Sequence, residues 1–125
     1  MPGNIPASVA IVDDDATLVQ TYELVFRRKQ VPVAFVAYDG VSALDKFRNA
    51  SARPRVVILD YRMPLMGGLK LTEEIKKLEP RTKIVFVSAD DTVETDAIKA
   101  GADVFLRKPV GIKAILDSIG PLSGN

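Results

Sequence analysis

The chain has 125 residues, 47% hydrophobic and 26% charged, with a formal net charge of +1; this is ordinary globular usage, at a length that buries roughly two-thirds of the unfolded surface. So small a net charge gives no broad field for nucleic acid or an anionic membrane, and direct binding to either is not expected. Cysteine and histidine are absent. Disulfides, thiol nucleophiles, imidazole bases and the usual zinc ligands are therefore excluded, leaving carboxylates, hydroxyls, amines and a hard metal.

The opening MPGNIPAS has no basic region followed by an apolar core, so it does not read as a signal peptide. No apolar run approaches the ~20 residues of a membrane span. A cytoplasmic domain, single over residues 1–125 with its core at about 7–120, is the expectation.

The first strand-like run, SVAIV (8–12), ends in Asp13, Asp14 and Asp15. Leu18, Tyr22, Val25 and Phe26 then step at helical spacing, and Asp15 stands where a cap for that helix belongs. VAFVA (33–37) is followed by a stripe of Val41, Leu44 and Phe47. VVIL (56–59) runs into Asp60. Leu71, Ile75 and Leu78 form a third stripe, closed by Lys76, Lys77 and Pro80. KIVFVS (83–88) ends in Ser88. Asp91 with Glu94 predicts the cap of a fourth helix carrying Val93, Ala97 and Ala100, which Lys99 and Gly101 end. VFLR (104–107) leads to Lys108, and Ile112, Ile115, Leu116 and Ile119 make the last stripe, with Gly120–Pro121 expected to stop it. The strands are short, β-branched and near-continuous in apolar character, as strands covered on both faces read. Alternation with helices gives an α/β doubly wound fold on a parallel sheet.

In such sheets ligands bind beyond the carboxyl ends of the strands. There the chain offers Asp13, Asp14, Asp15, Asp60, Ser88 and Lys108. Each has a plain explanation alone: a helix cap, a loop residue, a strand exit, a solvated lysine. Together they suit phosphoryl transfer. Crowded carboxylates favour a hard divalent cation. Asp60 can serve as a carboxylate nucleophile, and a hydroxyl and an ammonium can meet phosphoryl oxygens.

IVDDD, VILDYRMPLMGGLKL, IVFVSA and FLRKP, in this order and at these separations, resemble the signature blocks of the response-regulator receiver domain of two-component phosphorelays, over essentially the whole chain. The resemblance implies a five-stranded flavodoxin-like sheet in order 2-1-3-4-5. It implies Asp60 as phosphoacceptor; Asp13, Asp14, Asp60 and the backbone carbonyl of Arg62 as ligands of Mg2+ (or Mn2+); and Lys108 reaching the phosphoryl group, often beside a cis bond to Pro109. Ser88 and Phe105 become the switch pair. Arg62 and Asp90, two residues beyond Asp60 and Ser88, are expected to pair across the site mouth and tune dephosphorylation. The implied partners are a sensor histidine kinase or phosphotransfer protein. Downstream stands a protein partner or a C-terminal output domain, and the face of the fourth helix, fifth strand and fifth helix is a possible dimer surface. The chain departs from the common pattern with Gly67 in MGG, Phe105 for Tyr and Ser88 for Thr. Two other readings stand beside it. D-D-D-A-T also resembles the first motif of haloacid-dehalogenase-like phosphatases, with Asp13 as nucleophile and Asp15 as acid/base. A receiver that binds proteins without phosphorylation is the third.

Overall fold

The computed structural model describes residues 8–123, with side chains to residue 120. The MPGNIPA stretch and residue 7 of the expected core lie outside them. Five strands, β1 (Val9–Val12), β2 (Val33–Ala37), β3 (Val56–Asp60), β4 (Lys83–Ser88) and β5 (Val104–Arg107), alternate with five helices. The helices are α1 (Ala16–Arg28), α2 (Gly40–Asn49), α3 (Gly68–Leu78), α4 (Glu94–Ala100) and α5 (Ile112–Ser123). All strand pairs are parallel, in the order β2-β1-β3-β4-β5 implied by the resemblance.

Successive strand residues point to opposite faces, and the two cores divide accordingly. Ala10, Val12, Val57, Leu59, Ile84 and Phe86 pack with Leu44 and Phe47 of α2, Leu71 and Ile75 of α3, and Ala97 of α4. Val9, Ile11, Val56, Ile58, Val85 and Val87 pack with Val19, Tyr22 and Phe26 of α1 and Ile115 and Ile119 of α5. The central strands are buried along their apolar lengths, so their runs are continuous rather than alternating. β2 and β5 are edges and only partly covered. Lys46 reaches back to donate to the Val36 carbonyl (2.6 Å), placing a charge along the β2 edge.

Four local expectations are corrected. Val41 is 48% exposed, and Ala43 takes its place in the core. Val25 is only half-buried, with Val19 on the buried stripe instead. Asp91 does not cap the fourth helix: a 3-10 turn, Asp91–Val93, precedes it, and Asp90 caps that turn through the Thr92 N–H. Gly120–Pro121 does not stop α5, which continues to Ser123. Proline removes one helical hydrogen bond but does not by itself unwind a helix whose Ile115 and Ile119 are already docked.

Candidate functional site at the carboxyl edge of the sheet

Asp13 extends β1, its N–H donating to the Ala37 carbonyl (3.2 Å), and its side chain is buried. Asp60 is the last residue of β3 and also buried. The next turn folds back over it: Gly68 N–H donates to the Tyr61 carbonyl (2.9 Å). A Cβ at Gly68 would stand 2.5 Å from the Asp60 carbonyl oxygen, so only glycine permits this approach. The Lys108 N–H donates to the Ser88 carbonyl (2.8 Å), anchoring the lysine beside the end of β4, and its peptide bond to Pro109 is cis.

From these anchors the side chains converge. Lys108 Nζ lies 2.9 Å from Asp60 Oδ1 and 3.3 Å from Asp13 Oδ2. Carboxylate oxygens of Asp13, Asp14 and Asp60 lie within 4.8 Å of one another. Burial pushes the Asp13 carboxyl above the usual carboxylate range; Asp60's charge adds to this, while the Asp15 N–H and Lys108 oppose it. Burial alone would lower the Lys108 ammonium, but the hydrogen bond and charge of Asp60, followed by Asp13, more than offset it, and its pKa is raised. Burial therefore outweighs pairing at Asp13, whereas pairing wins at the less buried lysine. Three carboxylates facing one ammonium make an oxygen-only, electron-rich set, which fits a magnesium-type cation. Arg62 lines an open cleft of about 640 Å³ with Asp14, Tyr61, Met63, Pro64 and Gly67, which borders the cluster at Asp14.

Asp15 is turned away. Its carboxylate accepts from the Leu18 N–H (3.1 Å) and caps α1, as the sequence suggested. An acid/base role beside Asp13, which the phosphatase alternative needs, does not fit that placement.

Ser88 is buried beside the cluster but is engaged elsewhere. Its Oγ accepts from the Asp90 N–H (2.9 Å) and donates to the Asp90 carbonyl (3.0 Å). Phe105 is half-buried and stacks on Phe86 (5.9 Å between centroids, 17° between planes), which in turn tilts against Tyr61 (6.1 Å). Arg62 reaches Asp90 at 3.9 Å across the mouth, an exposed pair. Hydrogen bonds from Thr92 hold the Asp90 carboxyl below its ordinary value, with Arg62 a smaller contributor.

Two features escape sequence reasoning. Tyr22 reads as one core residue among several, yet its hydroxyl pKa is raised by burial and then by Asp13's charge, which places it under the acidic cluster. The only signal is a hydroxyl on an otherwise apolar stripe. The grip of Asp90's backbone on Ser88 has no sequence signature.

The chain matches the response regulator receiver domain family over residues 9–120. It is 32% identical over 117 residues to the chemotaxis protein CheY of Thermotoga maritima, covering 92% of this chain and 96% of that protein. Identity to the CheY of Bacillus subtilis is 31% over 113 residues, 89% and 92% of the two chains. A structure of a CheX-CheY-BeF3-Mg2+ complex from Borrelia burgdorferi is similar at a TM-score of 0.87 and 26% identity, covering 97% of this chain and 92% of that one. Among the described residues no helix is long and apolar enough to cross a membrane.

Proposed function

The chain belongs to the response regulator receiver domain family, and from that premise we propose that it is a switch operated by phosphorylation of Asp60, with a histidine kinase or phosphotransfer protein as donor. The observation that carries the reading is Lys108 Nζ set 2.9 Å from Asp60 and 3.3 Å from Asp13 at one rim, with Asp14 alongside. A carboxylate oxygen of Asp60 attacks the donor's phosphorus. The P–N bond breaks, the imidazole leaves with the electron pair and takes up a proton, and an acyl phosphate remains. Asp13, Asp14, Asp60 and the Arg62 carbonyl would hold a magnesium or manganese ion, which when bound supplies charge neutralisation for the phosphoryl oxygens. Lys108 contributes a mobile positive charge to one of those oxygens. No general base is needed to deprotonate Asp60, so the lack of histidine is no obstacle.

Readout begins at Ser88. To donate to a phosphoryl oxygen its hydroxyl must give up the Asp90 carbonyl, which loosens the loop between β4 and α4. Phe105, stacked on Phe86 two residues before Ser88, then turns into the vacated space. This remodels the face formed by α4, β5 and α5. Ile98 on α4 is 48% exposed there, available to a downstream protein, an appended output domain or a second copy. The phosphoryl group shifts a two-state population because it contacts one packing better than the other.

Beryllofluoride or acetyl phosphate with magnesium tests this, comparing Asp60→Asn with Asp13→Asn. Tight beryllofluoride binding, or labelling that alkali and hydroxylamine remove, lost in Asp60→Asn is expected. Catalytic phosphate release that survives Asp60→Asn but not Asp13→Asn would instead establish a phosphatase. Absence of any labelling would leave a receiver that only binds proteins.

A further inference from the structure

We propose a second ligand site at the opposite end of the sheet: an arginine-lined pocket that takes a small molecule carrying two or more linked phosphates. The α2–β3 and α3–β4 connections meet at the amino ends of β3 and β4 and enclose about 670 Å³, lined by Arg53, Arg55, Arg81, Glu79, Ala50 and Pro54 among others. That volume falls within the range of small-molecule sites, ~300–1,000 Å³.

The arginines are not equivalent. Arg53 donates from Nη1 to the Leu78 carbonyl (3.1 Å) at the end of α3, and its guanidinium lies over the Phe47 ring at 5.4 Å. A positive group at a helix carboxyl end offsets the dipole, which alone would explain Arg53. Arg81 is matched by Glu79, donating from Nε at 3.2 Å. Arg55 has neither explanation. Its backbone is fixed on both sides, N–H to Ser8 (3.0 Å) and carbonyl from Lys83 (2.8 Å), while its exposed side chain makes no hydrogen bond or ion pair among the described residues. Three guanidiniums against one carboxylate leave two positive charges uncompensated. Arg53 is already held flat, so little ordering is required when an anion arrives. Planar guanidiniums match phosphate oxygens two at a time. A diphosphate or longer chain meets that charge, and Ala50 and Pro54 offer apolar wall to whatever group it carries. This pocket lies at the amino edge of the sheet, away from Asp60, so it stands independently of the switch.

The test is a 1H–15N amide titration of the full chain at low salt with EDTA, using sodium pyrophosphate in one arm and ATP in the other. Saturable shifts at the amides of 50–53, 55 and 79–82 other than proline are expected, weakened about tenfold by Arg55→Gln, which removes a side chain without a partner among the described residues and leaves the fold intact. Added salt should weaken binding further. Stronger binding of ATP than of pyrophosphate would assign the apolar wall to a nucleoside; equal binding would assign the site to the phosphate chain alone. The proposal is overturned by the lack of saturation at about 10 mM ligand, by shifts spread over the whole surface, or by an affinity unchanged in Arg55→Gln and in Arg53→Gln/Arg55→Gln.

Discussion

At the mouth of the carboxylate cluster, Arg62 is held by two weak contacts, the Asp90 carboxylate at 3.9 Å and the face of Tyr61 at 5.4 Å. Both leave it largely in water, so the pair holds the mouth only loosely and its kinetic influence is small, roughly fivefold at most. If it screens the acyl phosphate from water, Arg62→Ala should shorten the half-life of phosphorylated Asp60 by about two- to fivefold. An unchanged half-life would remove that role. Leu65, three residues on, is a different case. Its φ is 72°, in the region that L-residues avoid, and the Met66 N–H closes the turn onto the Pro64 carbonyl (2.8 Å). Its side chain is 81% exposed, so no packing compensates the backbone strain. Left-handed backbone costs a non-glycine residue roughly 1–2 kcal/mol. Glycine gives back part of this through greater freedom in the unfolded chain, about 0.5–1 kcal/mol. Leu65→Gly is therefore expected to stabilise by about 0.5–1 kcal/mol, seen as a higher urea midpoint with the same slope.

At the scale of elements, α3 carries two local mismatches. Gly67 stands at its N-cap, so no side chain bonds the first turn. Thr72 is fully buried, and among the described residues its hydroxyl has no hydrogen-bond partner. A buried hydroxyl without a partner costs about 1–3 kcal/mol, and valine has nearly the same shape. Thr72→Val should therefore raise the unfolding free energy by about 1–2 kcal/mol; a lower melting temperature would show that the hydroxyl is bonded after all. The same scale explains what could be read beforehand. The strands were legible because burial on both faces leaves an unbroken apolar run, as in Val56, Val57, Ile58 and Leu59. Asp13, Asp60, Ser88 and Lys108 were legible as neighbours because each directly follows or ends a parallel strand, and parallel strands bring those ends to one rim. The start of α4 was not. Asp90 and Asp91 are both good caps by composition; Asp90 holds the 3-10 turn through Thr92, while Asp91 pairs with Arg107 of β5 at 3.1 Å, a tertiary contact that no local pattern announces. Nor was Val41, since helical spacing does not fix which side of an apolar stripe meets the sheet. Gly40 and Ala43 do so because α2 lies close against the β3–α3 turn, a tertiary fact.

For the molecule as a whole, the carboxyl rim opposes folding while the two cores drive it. Asp13 is buried with a pKa above its ordinary value of 3.8, so the folded state favours its protonated form. Between 3.8 and the raised value the folded chain binds more protons than the unfolded one. Its contribution to stability therefore rises as pH falls through that window, and is unfavourable at neutral pH. Lys108 acts elsewhere: its raised pKa supports the fold below 10.5 and that support is lost only as pH climbs through the raised value. Asp13→Asn should accordingly melt above the wild type at about pH 7.5 in EDTA, with the gap narrowing toward about pH 5. Lys108 keeps Asp60 at 2.9 Å in that variant, so no buried charge is left alone. Exposed acids such as Glu74, whose pKa is lowered by Lys77 and Lys70, are common to both proteins and cancel in the difference. Magnesium should invert the order at neutral pH. A ligand present at a hundred times its dissociation constant stabilises the state it binds by about 2.7 kcal/mol, and only the wild type retains the full carboxylate set. Because a proton and the cation compete for Asp13, that gain should shrink with acidification, opposite in sign to the trend in EDTA. Melting curves of both proteins at the two pH values, with EDTA or magnesium, read all of this at once. Equal magnesium shifts in wild type and Asp13→Asn would mean that Asp13 does not help to hold the ion.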